Sequence, residues 1–174
     1  MSMILVTPLS AVEGTIRRYR PSRLVTLLSP EHMIDTPEGV PPGSHLRLGM
    51  NDVPDASFGD APPAEHHIEQ LIAFGRNWSG EAPMLVHCWA GVSRSTAAAY
   101  ILLCDRLGPG CEQEVADALR FRAPHAFPNS LMVRLADEAL ARKGQMVRAI
   151  EAIGRGIIVA EGECVELPLS REGL

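Results

Sequence analysis

Residues 83 to 107 constrain the fold more tightly than any other stretch. Pro83–His87 holds the continuous apolar run Met84-Leu85-Val86, and Ser95–Leu107 is apolar on nearly every side. A strand without polar alternation is covered on both faces. A helix without a polar face belongs in the interior. Only a short loop joins the two, so a buried strand feeds straight into a central buried helix. That is the unit of a layered α/β protein.

The N-terminal half repeats the alternation. Ile4–Thr7 reads as a strand, and Pro8–Tyr19 carries Val12 and Ile16 at helical spacing. Leu24–Leu28 is a short, wholly apolar strand, and His45–Met50 alternates as a further one. Two loops, Ser29–Ser44 and Asn51–Pro63, are rich in breakers and acids. After them Ile68, Leu71, Ile72, Gly75 and Trp78 share one helix face, with Pro62 and Pro63 at its start and Gly80 at its end. Beyond Gly108-Pro109-Gly110, helices are expected around Val115 and Leu119, along Met132, Leu135, Ala136, Ala139 and Leu140, and over Met146–Ile153. The expected fold is α/β, a mainly parallel central sheet flanked by helices, in one domain over residues 1–154. In the tail, 155–174, Ile157–Val159 and Val165–Leu167 flank Glu161-Gly162-Glu163, which predicts a β-hairpin. Packing on the sheet edge is favoured over pairing with another subunit, and the sequence leaves the oligomeric state open.

Bulk properties exclude several classes. Of 174 residues, 46% are apolar and 21% charged, which suits one globular domain. The formal net charge of −5 argues against a nucleic-acid partner, which needs a basic face. No apolar run approaches the ~20 residues of a membrane helix, so no membrane partner is expected. Met1–Pro8 lacks the basic lead and long apolar region of a secretory signal, so a cytoplasmic location is expected. Cys88, Cys104, Cys111 and Cys164 show no C-x-x-C spacing, and neither a metal nor any cofactor is implied. Cys104 lies in an apolar helix and reads as core. Cys111 and Cys164 suggest no role. His66 and His67, at a helix start without metal partners, read as surface residues.

The loop between the buried strand and helix is His87-Cys88-Trp89-Ala90-Gly91-Val92-Ser93-Arg94-Ser95. At a helix N-terminus the backbone N–H groups are unsatisfied and carry partial positive charge, which makes an anion site. Gly91 permits a tight curl. Cys88 and Arg94 are six positions apart (94 − 88 = 6), so a loop curled round one phosphate brings them together. Arg94 then grips two oxygens with its planar fork. Cys88 sits on the floor among donors that stabilise a thiolate, the nucleophilic form. Ser95 is placed to donate to that sulfur, and His87 to fix the loop through backbone hydrogen bonds.

His87-Cys88-x5-Arg94-Ser95 resembles the signature of the protein tyrosine phosphatase superfamily, and its G-x-S-R-S form is nearest the dual-specificity branch. The resemblance implies a phosphatase working through a phosphocysteine intermediate. Trp89, Ala90, Gly91, Val92, Ser93 and Arg94 would bind the phosphate. It also implies an Asp general acid some thirty to forty residues before the cysteine. Asp52 (88 − 52 = 36) and Asp55 (88 − 55 = 33) both fit, with Asp60 a third choice. Asp52, directly after the strand His45–Met50, is favoured. Arg122–Asn129 resembles the family segment in which Pro-Asn begins a late helix beside the loop. Asn129 is an ordinary N-cap by its own chemistry, with a supporting bond to the loop as the second reading.

The loop interior holds no lysine, which lowers a polyphosphoinositide reading, and no Asn-Arg-Tyr recognition segment of the larger tyrosine phosphatases is found. Trp89 either lines the pocket mouth or packs inward, with inward packing favoured. The expected partner is a phosphorylated protein. The alternatives are a small phosphate ester, such as an inositol phosphate or nucleotide, and a non-catalytic phosphate-binding module.

Overall fold

The computed structural model describes residues 3–174; Met1 and Ser2, at the start of the expected domain, lie outside the described residues. Five strands form one sheet: β1 (Met3–Pro8), β2 (Arg23–Leu28), β3 (His45–Gly49), β4 (Met84–Cys88) and β5 (Val165–Pro168), in the spatial order β3-β2-β4-β1-β5. The first four are mutually parallel, and β5 runs antiparallel on the outer edge of β1. Among the described residues six α-helices accompany them: α1 (Val12–Tyr19), α2 (Glu65–Arg76), α3 (Arg94–Leu107), α4 (Glu112–Arg122), α5 (Ser130–Ala139) and α6 (Gln145–Ile153).

Side-chain alternation along the strands divides the core in two. Ile4, Val6, Val25, Leu27, Met84 and Val86 face the layer of α2 to α6. Leu5, Leu24 and Leu85 point the other way and pack on Val12 and Ile16 of α1. Each of these three leucines is fully buried, and each such side chain stabilises the fold by about 1.5–3 kcal/mol. The helix α3 sits at the centre: from Arg94 to Cys104 every residue is buried, as its all-round apolar character requires. Tyr100, in its middle, donates its hydroxyl to the carbonyls of Glu112 and Met146, tying α3 to α4 and α6.

The tail departs from expectation. Val165–Pro168 is a strand on the sheet edge, but Ile157–Val159 is not, so there is no hairpin. The free edge of β1 offers a full row of backbone groups close by. The exposed Ile157 and Ile158 would gain little burial by pairing with β5. The helix expected to run to Gly80 ends at Arg76, where Asn77 caps it by donating its side chain back to Ala73 O. Trp78 then turns inward beyond the helix and donates to Ala82 O. His67, read as a surface residue, is buried: its Nδ1 accepts from the Ala64 amide and closes the N-terminal turn of α2.

Candidate active site

The segment from β4 to α3 is held by its carbonyls. Trp89 O accepts from Leu9 N at 3.0 Å, and Ala90 O from Gly162 N at 2.8 Å. Val92 O accepts from Phe127 N at 2.9 Å, and Ser93 O from Asn129 N at 3.2 Å. Four donors from outside the loop, belonging to three separate parts of the chain, thus pull these oxygens outward. In a planar trans peptide the N–H of the next residue points opposite to the carbonyl. The amides of Ala90, Gly91, Ser93 and Arg94 therefore turn inward, and among the described residues no protein acceptor meets them. Gly91 has φ +69, and a Cβ there would lie 2.7 Å from Pro8 N, so only glycine passes under the end of β1. The result is a ring of donors at the N-terminus of a fourteen-residue helix, an anion cradle by construction.

Cys88 ends β4 with its side chain on the α3 face, nearly fully buried. Its Sγ lies 3.2 Å from Ser95 Oγ. Arg94 is also buried. Its Nη1 donates to Met50 O at 2.7 Å, the residue just after β3, while its Nε is buried without a protein partner. An unpaired buried donor costs about 1–3 kcal/mol. His87 points to the opposite face of the sheet, with Nδ1 3.2 Å from Cys88 O and Nε2 2.7 Å from Thr26 Oγ1. Burial holds this imidazole far below its ordinary range, at about 4, so it is neutral.

The acidic candidates separate clearly. Asp52 lines the same pocket as Cys88 and Arg94, and its Oδ1 accepts from Ser93 Oγ at 2.7 Å and Asn129 Nδ2 at 2.9 Å. Asp55 and Asp60 lie outside the pocket lining. Asp55 instead accepts from the side chain and amide of Ser57 in a turn, and those bonds hold its carboxyl below the usual range. Asn129 does both things open to it. Its Oδ1 caps α5 by accepting from Met132 N, and its Nδ2 also reaches Val53 O, bracing the acid loop against the phosphate loop.

The pocket, about 810 Å³, extends from the cradle between the Asp52 loop and the tail. Trp89 stands at its mouth, 54% exposed and tilted against His32, so it does not pack inward; the carbonyl bond to Leu9 turns the residue out. Sequence reasoning missed the far wall, which is Phe127, Ile150, Arg155 and Val159, with the Arg155 guanidinium 5.2 Å over the Phe127 ring. It also missed Gly162, whose amide pins Ala90 O. A Cβ on Gly162 would lie 2.4 Å from His125 Nε2, so the glycine between two glutamates marks close contact with the loop as much as a turn. Cys104 and Cys111 are buried away from this site, and Cys164 is exposed. Among the described residues no group of three or more His, Cys, Asp or Glu side chains has metal-binding geometry, and no helix is long and apolar enough to cross a membrane.

With this geometry in view, the resemblance to known proteins is specific. No protein-family model matches the chain. Dual specificity protein phosphatase 15 of Rattus norvegicus is 33% identical over 89 residues, covering 49% of this chain and 34% of the relative. The protein of the same name from Mus musculus matches equally well, so the similarity spans about a third of these relatives' length. Among solved structures, DUSP15 superposes with a TM-score of 0.60 at 17% identity, covering 90% of this chain and 96% of that one. PTPMT1 in complex with PI(5)P gives 0.59 at 17%, covering 84% and 94%. Human DUSP28 gives 0.55 at 22%, covering 86% and 92%. The fold is therefore that of the cysteine-based phosphatases. Over 89 residues the sequence is similar to dual specificity protein phosphatase 15, and the fold is similar to those of DUSP15 and DUSP28.

Proposed function

We propose that the chain hydrolyses phosphate monoesters of proteins, phosphotyrosine foremost, through a phosphocysteine intermediate. The observation that carries this reading is the convergence of Cys88 Sγ, the buried Arg94 guanidinium and four inward amides on one pocket that Asp52 also lines. Cys88 attacks phosphorus in line as a thiolate. Arg94 and the amides of Ala90, Gly91, Ser93 and Arg94 hold the equatorial oxygens, whose charge they meet without reorganising. Oδ1 of Asp52 is occupied by two donors, so the proton for the leaving oxygen rides on Oδ2, which meets no donor among the described residues. The leaving group departs protonated, and Asp52, now a carboxylate, takes a proton from the water that attacks the phosphocysteine. Ser95 donates to the sulfur as it leaves with its electron pair. His87 and Asn129 support this machinery without touching the substrate.

The pocket walls favour an aromatic ester. Trp89, Val92, Phe127, Pro128, Ile150 and Val159 offer apolar surface, and among the described lining residues the basic ones are Arg94 at the cradle and Arg155, stacked over Phe127 on the far wall. Apolar surface for an aromatic ring therefore outweighs basic groups for a polyanionic head group. PTPMT1, a fold neighbour, is solved with PI(5)P, so a small phosphate ester stands as the alternative substrate. The test is phosphate release from phosphotyrosine and phosphothreonine peptides beside inositol phosphates, with Cys88→Ser as control. Turnover of the peptides that vanishes in Cys88→Ser is expected. Turnover of inositol phosphates alone would move the assignment to the small-molecule reading, and none on any ester would leave a binding module.

A further inference from the structure

His87 is the inner end of a longer chain of hydrogen bonds that crosses the sheet. Thr26 Oγ1 lies 2.7 Å from His87 Nε2 and 2.7 Å from His45 Nε2, and His45 Nδ1 lies 2.9 Å from Thr36 Oγ1. Thr26 and His87 are register partners on adjacent parallel strands, and His45 is one side-chain repeat back on β3. All three stand on the sheet face opposite Cys88. Thr36 belongs to the exposed loop before β3.

Counting hydrogens fixes every direction. Cys88 O only accepts, so His87 Nδ1 carries the proton and donates to it. A neutral imidazole then has a bare Nε2, and the only hydrogen available to it is that of the Thr26 hydroxyl. Thr26 has spent its one hydrogen, so it accepts from His45 Nε2–H. His45, likewise held neutral, at about 4, by burial and the nearby Arg47, has a bare Nδ1 and accepts from Thr36 Oγ1–H. Four bonds run head to tail from the surface loop to the carbonyl of the nucleophile. Aligned donors polarise one another.

We propose that Thr26 and His45 are positioning residues for Cys88: through His87 they direct an aligned row of donors at its carbonyl and so favour the ionised sulfur. This rests on Cys88 being the nucleophile of the proposed reaction. Drawing electron density out of that carbonyl weakens the negative end of the dipole nearest the sulfur. It also locks the imidazole tautomer, which a lone His87 could exchange. The charged groups near the row are Arg94, beside His87, and Arg47, on the strand of His45. Neither supplies a hydrogen to the four bonds described.

The readout is alkylation of Cys88 by iodoacetamide as a function of pH, which needs no phosphate ester. Cys104, Cys111 and Cys164 are replaced by serine or alanine in the reference chain. Thr26→Val keeps shape and removes the hydroxyl. It is expected to slow alkylation at about pH 6 by about tenfold, with the difference closing above about pH 9, while Thr26→Ser restores the rate. Should Thr26→Val fail to fold, the part-exposed His45 carries the test: His45→Phe must slow alkylation, and His45→Gln, which keeps an N–H at the same reach, must restore it. Folded Thr26→Val or His45→Phe chains that alkylate with the parent's pH dependence would overturn the proposal. Variants that shift alkylation in a chain hydrolysing no ester would sustain the row and sink the phosphatase reading. The converse pattern would do the reverse.

Discussion

The sulfur of Cys88 and the hydroxyl of Ser95 lie 3.2 Å apart, across the mouth of α3, with the five loop residues and Arg94 curled between them. A serine in the first turn of a buried helix can donate to that sulfur without disturbing the helix, because the first-turn amides have no intrahelical acceptor. A hydrogen bond to a leaving thiolate helps the second step more than the first. Ser95→Ala is therefore expected to lower steady-state turnover about 10–100-fold, the worth of one bond to a charged group. Rapid-quench measurement should show a burst of product followed by slow turnover. A mutant with unchanged steady-state rate would remove Ser95 from the chemistry.

Asp52 and Asp55 offer a paired test three residues apart. Asp52→Asn leaves the bonds from Ser93 and Asn129 an oxygen to reach but deletes the proposed acid. It is expected to cut kcat by about 10²–10⁴ on phosphotyrosine, and by less on an ester with a good leaving group. Asp55→Asn touches only a solvent-exposed turn with Ser57 and should leave kcat within about twofold. The reverse ranking, read from initial rates, would transfer the acid role to Asp55.

Gly162 ties the tail to the cradle. Because a Cβ there meets His125 Nε2 at 2.4 Å and Gly91 O at 3.0 Å, Gly162→Ala must push the tail away and free the Ala90 carbonyl. The Gly91 amide then loses its fixed direction. The expected effect is a fall of about 3–10-fold in kcat/KM with little change in thermal unfolding, since β5 keeps its own pairing with β1. A variant with unaltered kinetics would reduce the tail to packing.

Stability should depend on acid pH through His87. Its native value of about 4 lies below the ordinary 6.5 because burial penalises the charged ring. Above about pH 6.5 the ring is neutral in both states and the full stability is present. Between 6.5 and 4 only the unfolded chain takes the proton, so stability falls as pH falls, by about 3 kcal/mol in total. Half-buried His45 adds a smaller part in the same window. Urea midpoints at about pH 7 and pH 4.5 measure this, and His87→Gln should flatten the slope.

The four segments read as strands and the one read as a buried helix, from Ile4 to Leu107, lie where their patterning puts them, because burial on both faces leaves a continuous apolar run and burial on one face leaves a mark every second residue. The cradle was legible too, since Cys88, Gly91, Arg94 and Ser95 are close in sequence. Trp89 and His67 were misread: whether a side chain at a loop or helix end turns in or out depends on what stands opposite. That is His32 for the one and the turn at Ala64 for the other.

The sequence by itself determined the strand–loop–helix unit, the spacing of sulfur and guanidinium, and the parallel layers around them. All of these follow from local patterning and short-range geometry. Only the tertiary structure decided which carboxylate shares the pocket, how Phe127 and Arg155 wall it, where the tail lies, and that Thr26 and His45 stand behind His87. Those relationships join residues from 19 positions apart, Thr26 and His45, to 165 positions apart, Met3 and Pro168 (168 − 3 = 165), and no local preference encodes contacts that exist only once separate strands and loops have packed.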